Sequence, residues 1–189
     1  MKHGLEYKTV YNKLMSQLKV NSIVPTAGLS GGASGGIIQI KQVVKTDITT
    51  GSFSGTDFVD VLTVDITPTS SSSKVYVSCV LSVETSGNHN ATVLQLRRGT
   101  TDILIADASD SRTRCTVGLP FRNVAYKLPV ITTCFLDSPS TTSSTTYRLS
   151  IKDGNGDGGN YFINRPSSTV TNANNIVGTS SITVMEVSG

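Results

Sequence analysis

From Ile37 onward, the chain is a succession of short apolar or alternating segments, each bounded by Gly, Ser, Asn, Asp or Pro. Segments of this kind are typical of β-strands. The predicted strands are 37–46, 58–67, 74–83, 91–98, 103–106, 116–123, 128–136, 145–152 and 180–187. Because no helical pattern separates them, the sequence predicts an all-β fold, namely an antiparallel, jelly-roll-like β-sandwich. The chain has no Trp, which excludes the Cys–Trp–Cys pattern of antibody domains.

The alternation also predicts which side chains face the core. One face of the third strand carries Val75, Val77, Cys79, Leu81 and Val83, and the fourth strand directs Leu94 and Leu96 inward. Cys79 and Cys134 both adjoin apolar residues, so both thiols are predicted to be buried. The third cysteine is Cys115, and no Cys-x-x-Cys spacing occurs. Neither a zinc site nor a redox pair is therefore expected.

Two further segments are predicted before the sandwich. Residues 1–24 contain a short amphipathic helix, and its apolar stripe, at coiled-coil spacing, is Tyr7, Val10, Tyr11, Leu14 and Leu18. Two heptads are too short to be stable alone, so the helix must dock on its own domain, on its copies or on a partner. Residues 25–36 form a Gly-rich linker, and 37–189 form the head. The linker lacks Gly-Lys-Ser/Thr and precedes a strand, which argues against a phosphate-binding loop.

Charge is scarce and unevenly distributed. Charged residues make up 15% of the chain, and the formal net charge is +3. Residues 1–20 hold four lysines and one glutamate, while the remaining 12 basic and 12 acidic residues cancel. A nucleic-acid-binding head is therefore not expected, whereas a surface poor in charge suits contact with neighbouring chains. No apolar run reaches transmembrane length, so membrane insertion is not expected either.

The segment 153–158 resembles the start of a calcium loop. Asp153, Asn155 and Asp157 place oxygen-bearing side chains at alternate positions. Asn164 stands where an EF-hand has a bidentate Glu, and no helical pattern flanks the segment. Two interpretations stay open, a plain turn and a weak Ca²⁺ site, and no other cofactor is expected.

Loops carry recognition in most sandwiches, and the candidate loops here are 84–90, 107–114 and 153–161. The candidate contact residues are His89, Asn90, Asp110, Arg112, Arg114 and Tyr161. The arginines and acids of the second loop suit contact with sugars, carboxylates or a neighbouring subunit. Tyr161 would stack on a glycan or anchor the core. With its two histidines in the leader and in a polar turn, the chain shows no catalytic motif, so no enzymatic activity is expected.

Four phrases in the last third of the chain carry a family resemblance. Phe135-Leu136-Asp137-Ser138-Pro139-Ser140, Thr146-Tyr147-Arg148-Leu149-Ser150, Asn164-Arg165-Pro166 and residues 179–187 resemble the C-terminal β-sandwich domains of tailed-bacteriophage fibres and other virion appendages. The resemblance extends over about residues 37–187 and begins with the phrase at 35–42.

In that family an N-terminal segment attaches to the particle, and the sandwich projects outward, commonly as a trimer. The resemblance therefore implies a short homotrimeric tail fibre that assembles in the host cytoplasm. Its leader would bind another virion protein, and its head would contact the host surface, for example a glycan. Two alternatives remain: a capsid decoration or head-fibre protein, and a carbohydrate-binding module outside the virion.

Overall fold

The computed structural model describes residues 36–86, 92–119 and 127–189. In these ranges the chain forms strands and no helix, so the all-β prediction is confirmed. The strands are β1 (Ile37–Lys45), β2 (Thr49–Ser52), β3 (Val59–Ile66), β4 (Lys74–Ser86), β5 (Thr92–Arg98), β6 (Thr101–Ile103), β7 (Val117–Gly118), β8 (Val130–Asp137), β9 (Thr145–Asp153), β10 (Asn160–Ile163) and β11 (Ser180–Val187).

Several predictions lie outside the described residues. They are the helix at 1–24 with its apolar stripe, nearly all of the linker at 25–36, the turn with His89 and Asn90, and residues 120–126. The division into leader, linker and head therefore stays a prediction. No helix in the described residues is long and apolar enough to cross a membrane.

Both sheets are antiparallel. In the first, the strand order is β8–β4–β11–β1. Beyond the end of β11, the last residues of β4 pair with β10, which pairs in turn with β2. In the second sheet the order is β3–β9–β5, and the short strands β6 and β7 both pair with β5.

The core lies between the two sheets. The inward faces of β4 and β11 supply Val75, Val77, Leu81, Ile182 and Val184, and those of β5 and β9 supply Leu94, Leu96, Tyr147, Leu149 and Ile151. All of these side chains are fully buried. The predicted inward faces of the third and fourth strands are thus confirmed. Each such aliphatic side chain contributes about 1.5–3 kcal/mol through removal from water.

The structure corrects several predictions. Strands β2 and β10 were not predicted because each has only four residues and lies beside Gly, Asn or Asp. Strand β4 continues to Ser86, so Glu84 is buried in the sheet instead of lying in a loop. The strand predicted at 103–106 ends at Ile103, because Leu104 adopts a φ of 51°.

The predicted burial of Cys134 is wrong, whereas that of Cys79 is confirmed. Strand β8 has apolar residues at both alternations, so periodicity did not decide which set faces the core. Phe135 packs against the core, and Cys134 points to the opposite face, where it is exposed.

Candidate functional site: the outer face of the first sheet

The outward side of the first sheet carries three cross-strand rows, here called the open face. One row runs Ile40, Met185, Tyr76, Leu136 across all four strands. The next row is Gln42, Thr183, Ser78, Cys134, and the third is Val44, Ser181, Val80, Thr132. The first row is apolar throughout, and the third has a valine on two of its four strands.

Large apolar side chains of the open face are accessible to solvent. Ile40 is 54% exposed, Leu136 is 49% exposed and Val44 is 52% exposed. Ile37 and Ile38, at a β-bulge in β1, extend the exposed apolar surface beyond the first row. Contiguous apolar surface of this kind marks contact sites more often than isolated exposed residues do.

The three rows of the open face carry no charged side chain. The charged residue nearest to them on the outward side is Lys74, at the start of β4, where its Nζ donates to Ser138 Oγ at 3.2 Å. Cys134 of the second row lies diagonally across from Tyr76 of the first row, and its thiol raises the pKa of that phenol. The open face is therefore apolar with a few uncharged polar groups.

The same outward side is covered at its other end, beyond Val80. Ser82 Oγ donates to the Thr179 carbonyl at 3.0 Å. Glu84 accepts hydrogen bonds from Ser167, at 2.5 Å from the backbone N–H and 2.9 Å from the hydroxyl. Gly178 lies so close that a Cβ there would be 2.9 Å from Ser82 Oγ. The segment 164–179 thus buries this end and leaves the three rows uncovered.

The outer face of the second sheet is of a different kind, here called the charged face. Asp60 accepts hydrogen bonds from Arg148 and from Ser150 Oγ, the latter at 2.6 Å, and Arg97 Nη1 lies 3.9 Å from its carboxylate. Arg97 also pairs with Asp102 at 3.2 Å. The Arg97 guanidinium stacks over the Phe58 ring, 4.3 Å from the centroid. The charged face therefore carries the kind of side chains that favour contact with solvent.

The predicted contact residues of the loop 107–114 are exposed but bond within the loop. Arg112 Nη1 donates to Ser109 Oγ at 2.7 Å and pairs with Asp110 at 3.3 Å. Arg114 Nε donates to the Ala106 carbonyl at 2.6 Å. The loop joins β6 to β7 on the second sheet, so these residues are not part of the open face.

Tyr161 lies in β10, where it packs partly buried against the core. Its ring centroid is 5.2 Å from that of Phe53, and it fills space above Gly51, where a Cβ would be 2.2 Å from the tyrosine hydroxyl. The structure therefore places Tyr161 as a core anchor, and glycan stacking by this ring has no support from its position.

The segment 153–158 forms a turn between β9 and β10. Asp153 is buried, and its carboxylate accepts the Gly158 N–H at 2.9 Å and the Asn155 N–H at 3.4 Å. Asn155 Nδ2 donates to Asp157 at 2.5 Å. In the described part of the chain, no group of three His, Cys, Asp or Glu side chains is arranged to hold a metal. A cation at Asp153 would have to displace backbone donors, and the weak Ca²⁺ site stays a prediction.

A cleft that sequence reasoning missed lies beside the segment 164–179. It has a volume of about 430 Å³, and its lining includes Ile48, Arg165, Val170, Asn175 and Ile176. The side-chain oxygen of Asn175 is buried there and has no hydrogen-bond partner among the described residues. A cleft of this size, apolar with a few polar groups, is suited to a small ligand.

No family model and no curated protein sequence matches the chain. Among solved structures, a chain of the infectious bursal disease virus VP2 subviral particle is similar, with a TM-score of 0.43, 13% identity, and coverage of 88% of this chain and 38% of that chain. A chain of the Gx strain of the same virus has a TM-score of 0.42 and 11% identity, and the match covers 81% of this chain and 33% of that chain. A chain of the Gt strain has a TM-score of 0.38 and 13% identity, and the match covers 87% of this chain and 45% of that chain. This chain spans less than half the length of each. The phage-fibre resemblance stays a prediction, and the function proposed below rests on this chain's own residues.

Proposed function

We propose that the protein is a virion structural protein, a short homotrimeric tail fibre with an N-terminal attachment segment and a sandwich head. The observation that carries this proposal is the position in the fold of the four sequence phrases that resemble phage fibres. Three of the four phrases lie on β8, β9 and β11, and Asn164-Arg165-Pro166 follows the end of β10. The phrases therefore contribute to both sheets, and β8 and β11 carry part of the open face. The proposal assigns the head a binding role and no catalytic step.

The division of labour follows the distribution of charge. All the net positive charge lies within residues 1–20, beside the predicted stripe of Tyr7, Tyr11, Leu14 and Leu18. A basic amphipathic segment suits docking on another virion protein. The head, which has no net charge, is then free to project from the particle and to contact the host surface, with the cleft at 164–179 as the described feature best suited to a glycan.

A second candidate is a capsid decoration protein. The chain has no internal repeat of the kind that builds a long fibre shaft. A head joined by a short Gly-rich linker to a docking segment also suits a protein that sits directly on a shell. The leader and the head would have the same roles, but the site of attachment would differ.

Particle incorporation tests the proposal and separates the two candidates. Particles are assembled with the tagged full chain or with residues 37–189, and the chain is located by cryo-electron microscopy. Full chain at the tail favours the fibre, and full chain on the shell favours decoration. Residues 37–189 should fold but fail to incorporate, and Leu14→Asp should reduce incorporation. A full chain found at neither place would contradict both candidates.

A further inference from the structure

The open face is an interaction surface that the described chain leaves without a cover. Three rows across four strands span about 14 Å in width, and the face continues along the strands for about 23 Å when the bulge at Ile37 is included. With side chains, this gives a patch on the order of 500 Å². The segment 164–179 covers the outward side of the first sheet only as far as Ser82, so it does not reach these rows.

We propose that the open face is the docking surface for a second copy of this chain. The proposal rests on the self-association that is part of the proposed function, and it names the residues responsible. The three rows are uncharged, so two copies can approach without like-charge repulsion, and a partner recognised through charge would find nothing to pair with. Sheets pack face to face when their side chains interdigitate, about 10 Å apart.

The size of the patch is consistent with this occupant. Two such faces bury about 1,000 Å² in total, which is near the lower limit for a specific interface between protein chains. The open face lacks charge and carries aliphatic and aromatic side chains in its first row and part of its third, which is the composition of an interface core. In a trimer, each copy would divide this face between its two neighbours around the three-fold axis, instead of packing it against a single partner face.

The first measurement is molar mass by size-exclusion chromatography with light scattering on the full chain, over a range of concentrations. The test variant is Ile40→Glu with Leu136→Glu, because both side chains are about half exposed and tolerate polarity in the monomer. Thr63→Glu on the charged face is the matched control, since Thr63 is exposed and lies opposite Arg148. We expect the wild type and the control to form the same oligomer, and the double variant to associate at least 100-fold more weakly.

Cys134 provides a second readout that does not depend on mass. In a Cys115→Ser background, Cys134 is the exposed thiol of the chain, while Cys79 is buried. Maleimide labelling of Cys134 should be at least tenfold slower in the oligomer than in the Ile40→Glu, Leu136→Glu chain. Circular dichroism checks that the double variant remains folded.

The outcomes separate this inference from the proposed function. A wild-type chain that stays monomeric at about 50 µM, or a folded double variant that keeps the wild-type mass, would overturn the docking surface. Neither result bears on whether the full chain incorporates into particles. Conversely, the double variant could break the oligomer while the full chain fails to incorporate into particles. That result would support the docking surface and contradict the virion role.

Discussion

The two outward faces of this sandwich differ in their content of charged side chains. On the charged face, Asp60, Arg97 and Arg148 form a linked set of ion pairs at the surface. On the open face, the three rows are free of charge and expose large aliphatic side chains. Both faces belong to one small domain with one core, so core formation does not explain the difference. It indicates that water is the neighbour of one face and protein is the neighbour of the other.

The first sheet does contain carboxylates, but they are held away from the open face. Glu186 is buried at the end of β11, where it accepts hydrogen bonds from Gln39 at 2.6 Å and from the Thr69 N–H and hydroxyl at 2.7 Å. Asp137 is buried at the end of β8 and accepts from Arg98 at 2.8 Å and from Tyr147 at 2.6 Å. Each carboxylate is satisfied locally, as burial of charge requires.

Glu186→Gln should produce the largest stability change that this comparison predicts. Burial raises the pKa of Glu186, but hydrogen bonds from Gln39 and Thr69 outweigh it and hold the pKa at about 2. Hydrogen bonds to a charged group contribute about 2 kcal/mol, and the amide loses much of this. Urea unfolding at pH 7 measures the loss.

The pH dependence gives this prediction a sign. The folded pKa of about 2 lies below the usual 4.5, so the stabilisation is complete above pH 4.5 and disappears as the pH falls toward 2. The free energy of unfolding of the wild type should therefore fall more steeply over this range than that of Glu186→Gln. The exposed carboxylate variant Asp107→Asn serves as the control. Parallel profiles for all three proteins would show that Glu186 is not held ionised by these donors.

The sequence predicted the inner faces well because alternation in β4, β5 and β9 places most of the large apolar residues on one side. It did not predict the open face. In β1, isoleucines and valines occupy both alternations, and in β8 both Val130 and Ile131 are apolar. Such strands can be buried on either side, and only the packing of the second sheet decides which. The covering of Ser82 and Glu84 also depends on the segment 164–179, which is about 80 residues away in sequence.

Asp60→Ala tests the charged face and should have a smaller effect. The substitution removes the acceptor of Ser150 and leaves Arg97 and Arg148, which are paired across β5 and β9, with like charges side by side. We expect a loss of about 1 kcal/mol, because the group is partly exposed and screened. Oligomeric mass should not change.

Salt sharpens the contrast between the faces. Raising NaCl from about 0.05 M to about 0.5 M shortens the screening length and should recover part of the Asp60→Ala loss. The same change should not weaken association through the open face, because no charges meet there. Salt-sensitive association combined with a salt-insensitive Asp60→Ala would reverse the roles assigned to the two faces.

The smallest effect is expected at the turn 153–158, which leads from β9 in the second sheet to β10 in the first sheet. Its glycines Gly156 and Gly158 adopt positive φ, and Asp153 already accepts two backbone donors. Without a carboxylate at the twelfth position, calcium affinity should be on the order of millimolar or weaker. About 1 mM Ca²⁺ should then add no more than about 0.4 kcal/mol, a small shift in Tm by differential scanning fluorimetry. Asp153→Asn with Asp157→Asn is the matched control. A Tm shift of about ten degrees that this variant abolishes would show that the turn is a cation site. Equal small shifts in both proteins would show that the turn only connects the two sheets.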